Sequence, residues 1–172
     1  MPEDITEKIQ AAQSKFEQLV AKIPGYAGYK KREQRREADK LLRLHVARKY
    51  EGQLKRLHEA QYAMTARGRL GAIMTLERAS MKLQLLVDRL KTASYGYSGL
   101  FDAVKVDEEA LDRLYEFDAK MLEGVDRVST ILDRLEEALN ADMPNPAEAN
   151  ELVRELDALN DIYSQRQDVI IG

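Results

Sequence analysis

Between residues 111 and 139 the positions Leu111, Leu114, Asp118, Met121, Val125, Val128, Leu132, Leu135 and Leu139 alternate in spacings of three and four, and only Asp118 is polar. That period lays one stripe along one side of a helix, whereas a strand requires alternation in twos. A stripe some 30 residues long, ~45 Å at 1.5 Å per residue, buries nothing by itself and needs neighbours of comparable length. The feature restricts the chain to a helical bundle or a long coiled coil before any other residue is considered.

Four further segments carry the same period. Ile5, Ile9, Ala12, Phe16, Leu19 and Ile23 repeat through residues 3–23 and stop at Pro24-Gly25, which cannot continue a helix. A second helix is predicted over 32–67, with Ala47, Tyr50, Leu54, Leu57 and Met64 on its later seam. A third covers 70–92, with Ile73, Leu76, Ser80, Leu83, Val87 and Leu90 in register. The long stripe belongs to a fourth, 107–141, capped by Asp107 with Glu108 and Glu109 favourable to the helix dipole. The fifth, 146–168, opens on Asn145-Pro146-Ala147-Glu148, a cap followed by an N1 proline, and its seam is Leu152, Leu156, Leu159 and Tyr163. The late seam of 32–67 and the seam of 70–92 lie about 180° apart on a continuous helix, so Gly68 and Gly71 mark a hairpin between them. The expectation is one all-α domain spanning 1–172: an antiparallel bundle of about five helices with coiled-coil-like heptad seams.

Composition narrows the chemistry. The 172 residues include no Cys, which excludes disulfides, thiolate zinc sites and Cys nucleophiles and fits a reducing cytoplasm. No apolar run approaches the ~18 residues of a membrane span, and the acidic start Met1-Pro2-Glu3-Asp4 does not read as a signal peptide. His45 and His58, the two histidines, sit about 140° apart on one helix and form neither Glu-x-x-His nor His-x-x-x-His. The expected inventory is therefore no metal, no cofactor and no catalytic residue. The glycine pairs 25/28, 68/71 and 96/99 lack the strands of a KH domain and form neither a Walker A nor a dinucleotide fingerprint, so helix termination accounts for them.

Two joins repeat each other: Gly25-Tyr26-Ala27-Gly28-Tyr29 and Gly96-Tyr97-Ser98-Gly99-Leu100 each precede a long helix. The pattern is consistent with an internal duplication of a helix–loop–helix unit. Tyr26, Tyr29, Tyr95, Tyr97 and Phe101 either staple helix ends or contact a partner. The strings Ile23-Pro24-Gly25-Tyr26-Ala27-Gly28-Tyr29-Lys30 and Tyr95-Gly96-Tyr97-Ser98-Gly99-Leu100-Phe101-Asp102 resemble those of uncharacterised bacterial all-helical proteins of similar size. The resemblance implies a bacterial, cytoplasmic source and no particular activity.

Charge is unevenly distributed. Residues 1–91 hold 20 Lys and Arg against 11 Asp and Glu, and residues 92–172 hold 7 against 19. Either the first half meets an anionic partner or the two halves pair inside one bundle. The densest basic stretch includes Lys30, Lys31, Arg32, Arg35, Arg36, Lys40 and Arg43. Arg36, Lys40 and Arg43 continue the later seam backwards, where unpaired cations cannot form a dry core. Exposed, the stripe suits nucleic-acid phosphates, with a lipid surface or an acidic protein as other partners. Paired internally, Arg36, Lys40 or Arg43 would face Asp107, Glu108, Asp112 or Asp118. The function expected from these features is a non-enzymatic structural or adaptor protein whose partner is another protein or itself. A nucleic-acid-binding accessory protein is the alternative.

Overall fold

A computed structural model describes the chain at residues 32–92, 108–143 and 146–171. Among the described residues there are four helices: α1 (Arg32–Ala66), α2 (Ile73–Thr92), α3 (Glu108–Asn140) and α4 (Pro146–Ile171). They match four of the expected segments to within three residues at each end. The expected helix 3–23 and both Gly-Tyr loops lie outside the described residues.

The joins within each pair of helices are made the same way. Gly68 adopts φ 68°, and its N–H bonds the Thr65 carbonyl at 3.0 Å while the Arg69 N–H reaches back to Met64 O at 2.9 Å. These are the two bonds of a Schellman cap, and the left-handed residue at its centre favours glycine because a Cβ would crowd the following carbonyl. At the end of α3 the same two bonds run from Asp142 to Leu139 O (3.3 Å) and from Met143 to Ala138 O (2.9 Å). There the left-handed residue is Asp142, φ 60°, one of the few non-glycine types that tolerate the conformation.

Seam residues fill the interior. Ala47, Tyr50, Leu54, Leu57 and Met64 of α1, Leu76, Leu83, Val87 and Leu90 of α2, and Val125, Val128, Leu132, Leu135 and Leu139 of α3 are all buried, as are Leu152, Leu156, Leu159 and Tyr163 of α4. Gly124 marks the tightest approach: a Cβ there would lie 2.4 Å from Leu159 Cδ2 and 2.6 Å from the Tyr50 hydroxyl oxygen, so glycine lets α1 and α4 close on α3.

The helix order differs from a simple antiparallel bundle. Each hairpin, α1–α2 and α3–α4, is antiparallel, but α1 packs on α3 and α2 packs on α4. Contacts from Tyr50 to Met121, Arg56 to Asp133 and Arg67 to Leu139 advance together along both chains, so α1 and α3 run parallel. Lys82 to Asp157 and Arg89 to Ser164 show the same for α2 and α4. The apolar period aligns helices along their axes but does not choose which side each neighbour takes. Polar contacts distinguish the sides here. Arg56 of α1 bonds Glu136, Asp133 and Ser129 of α3 at 2.6–3.1 Å.

Parallel packing brings the C-terminal ends of α1 and α3 together, and with them two sets of unbonded carbonyls. Arg67 donates to Leu139 O at 2.6 Å, and Arg69 donates to Met143 O at 2.7 Å and pairs with the Asp142 carboxylate. At the opposite end α1 begins eleven residues before Arg43 and α3 ten before Asp118, whereas α2 stops two residues after Leu90. Two parallel helices thus project together by ~12 Å past the end of α2.

The Schellman geometry predicts a contrast between neighbouring glycines. Gly68→Ala should lower unfolding stability by about 1–2 kcal/mol in urea titration. Gly71→Ala, at a residue without positive φ and with open space around its Cβ position, should leave it unchanged. Equal effects would contradict the cap.

Candidate interaction surface

A polar cluster closes the interior at the level where α1 and α3 begin to project. Arg166 Nε donates to Asp118 Oδ1 at 3.0 Å, and the two side chains are 1% and 4% exposed. Arg43, also buried, donates to the carbonyl of Leu90 at 3.2 Å. Tyr163 donates to the Arg89 carbonyl at 2.8 Å beneath the Arg89 guanidinium, which stacks 5.2 Å from the ring centre. One turn or two further in, Tyr50 donates to Met121 O at 2.6 Å. Burial raises the Tyr163 phenol above its ordinary value, opposed by the cations Arg166, Arg43 and Arg89. Burial likewise raises Tyr50. Both phenols donate to backbone carbonyls.

All four helices contribute to this cluster, and every described bond in it ties one helix to another. Its chemistry is that of a fastening. Among the described residues no three of His, Cys, Asp and Glu gather as a metal site would, and no helix is long and apolar enough to cross a membrane.

The basic residues of the 30–43 stretch divide. Lys30 and Lys31 lie outside the described residues. Arg32, Arg35 and Arg36 occupy the first turns of the projecting part of α1, and Lys40 is exposed. Arg43 is 3% exposed, which agrees with the internally engaged alternative for this residue and not with a place in an exposed stripe. A buried cation there needs a partner, and one described acceptor of the guanidinium is the Leu90 carbonyl near the end of α2. The described partner of Asp118 is Arg166. Tyr26, Tyr29, Tyr95, Tyr97 and Phe101 fall outside the described residues.

The uneven charge has a visible internal use. The described ion pairs joining the two hairpins are Arg56 with Asp133 and Glu136, Arg69 with Asp142, and Lys82 with Asp157. In each the cation comes from the first hairpin and the carboxylate from the second. His45, half-buried, is held below its ordinary pKa by burial and by Lys49 and Arg48, so it is neutral near pH 7. His58 and Ser80 hydrogen bond across α1 and α2 at 2.7 Å, which gives the polar residue in the 70–92 seam a partner.

What the sequence reading missed lies on the outside. Tyr62, Leu70, Met74, Met81 and Leu85 are exposed large apolar residues, all on the α1–α2 hairpin, and on the described part of the other hairpin only Met143 compares. Met74, Met81 and Leu85 are 78%, 69% and 51% exposed and share the face of α2 directed away from the core. The spacings of seven and four were visible in the sequence, but the stronger seam through Leu76, Leu83 and Leu90 masked them. On α1 an open groove of about 530 Å³ runs past Glu51, Leu54, Lys55, His58, Glu59 and Tyr62, with charges of both signs on its rim.

No protein-family model, curated protein or solved structure matches the chain.

If the cluster is a fastening, removing Asp118 breaks its buried ion pair with Arg166 and should cost about 3–5 kcal/mol. Asp118→Leu should therefore shift the urea midpoint strongly downward, and Asp118→Leu with Arg166→Met should recover most of the loss. A double variant no better than the single would contradict this account.

Proposed function

We propose that the protein is a non-enzymatic structural or adaptor protein of the cytoplasm that offers a helical face, and its Gly-Tyr loops, to a protein partner or to itself. The observation that carries this reading is the outward face of α2, where Met74, Met81 and Leu85 stand in solvent on a hairpin whose interior is already filled. Scattered apolar residues are ordinary on a surface, but a stripe aligned along one helix is the form in which helices meet partners. Exposed methionines suit such a face because their unbranched, polarisable side chains adapt to what they contact.

The nucleic-acid reading has less to stand on. Arg43 is buried, and carboxylates of the second hairpin engage Arg56, Arg69 and Lys82. α3 also carries Glu108, Glu109, Asp112 and Glu116 in its own projecting turns, on the helix that packs parallel to α1.

The test is Met81→Lys with Leu85→Lys. The variant should keep the wild-type helicity and unfolding midpoint, because neither side chain belongs to the core. It should lose the proteins recovered by cross-linking in cells of the source organism. Retention of every cross-linked partner would count against this face, and steep salt-dependent binding of labelled nucleic acid would favour the alternative.

A further inference from the structure

The outward face of α2 is self-complementary. The residues that share it are Met74, Arg78, Met81, Leu85, Asp88 and Thr92, spaced 4-3-4-3-4. They lie within about 80° of the helix circumference and extend over ~27 Å. All six are exposed. The spacing reads identically from either end, with its centre at position 83. A second α2 laid antiparallel across this face therefore sets Met81 against Leu85, Arg78 against Asp88 and Met74 against Thr92, each pairing occurring twice.

We propose that this face pairs with itself, so that two copies of the chain associate through antiparallel α2 helices. The inference rests on the adaptor reading and names its partner: a second copy of this chain. Three physical features support it. The series has the a/d spacing by which helices interlock, here on the side opposite the buried seam. Its central positions are apolar, and they are flanked by one cation and one anion whose order reverses in an antiparallel mate, so every charge meets its opposite. A two-fold interface needs this property, since each patch must be its own complement. A parallel mate would set Arg78 beside Arg78 and Asp88 beside Asp88, so the charges also select the antiparallel direction.

The experiment is sedimentation velocity on four samples over a shared concentration range: the wild-type chain, Arg78→Glu, Asp88→Arg, and an equimolar mixture of the two variants. Both substitutions are at exposed positions of a helix and leave the core intact. The wild type should shift from monomer to dimer as concentration rises. Each variant alone should dissociate at least roughly tenfold more readily, because two attractive pairs have become two repulsions. The mixture should regain the wild-type dimer. In a mixed pair the introduced glutamate of one copy meets the introduced arginine of the other, while the unaltered Asp88 and Arg78 still face each other. A wild-type chain that stays monomeric at several hundred micromolar (an order-of-magnitude ceiling for a specific pair) would overturn the proposal. So would variants that associate like the wild type, or a mixture that shows no recovery. If the wild type is monomeric but Met81→Lys with Leu85→Lys still loses its cross-linked proteins, self-pairing fails while the adaptor reading stands. If that variant loses nothing either, both fail.

Discussion

The ion pair between Asp118 and Arg166 stands where α3 and α4 leave the packed interior, with the Arg43 and Tyr163 bonds close around it. A charge that deep is tolerated only with a partner in place, because desolvating it alone costs more than apolar contacts return. The apolar seams resemble one another from turn to turn, and sliding one helix by a heptad would still bury leucines. Sliding α4 along α3 would separate Asp118 from Arg166. The polar residues thus set the axial register that the leucines leave open, and the other contacts between the hairpins are read relative to that level.

Parallel packing of α1 on α3 follows a second set of polar contacts. Two helix ends of the same sign side by side repel through their dipoles, and such neighbours need compensation. At the C-terminal ends Arg67 and Arg69 supply it by bonding the Leu139 carbonyl in the last α3 turn, the Met143 carbonyl just past it and the Asp142 side chain. Midway along, Arg56 binds two carboxylates and a hydroxyl of α3 at once. The separation of basic and acidic residues between the two halves of the chain is thereby put to use in joining one hairpin to the other.

The four described helices were legible because each has a seam with the helical period and a recognisable start or stop: the N1 proline Pro146, the acidic first turn of α3, and Gly68 at the left-handed cap. Which helix sits beside which was not legible, because the three-four period describes one stripe per helix and every helix in a bundle touches at least two others. The Leu90 carbonyl as an acceptor for Arg43 was not legible for a related reason. Reading along one helix, a cation on the seam has no partner, and the carbonyl that receives it belongs to Leu90, 47 positions away. The outward stripe of α2 was missed because Met74 and Met81 count as ordinary apolar residues until the inward set is known to be complete. Gly124 carried no sequence signal: its role depends on where Tyr50 and Leu159 arrive.

The inside of the bundle holds the register, and the outer face of α2 is the proposed recognition surface. Hydroxyl-radical footprinting of the wild-type chain over a dilution series tests that division most directly, with Met143 at the α3 cap, also exposed, as the internal reference. The account predicts that Met81 becomes protected as concentration rises while Met143 reacts at a constant rate. A Met81 reactivity relative to Met143 that stays the same at every concentration would contradict it.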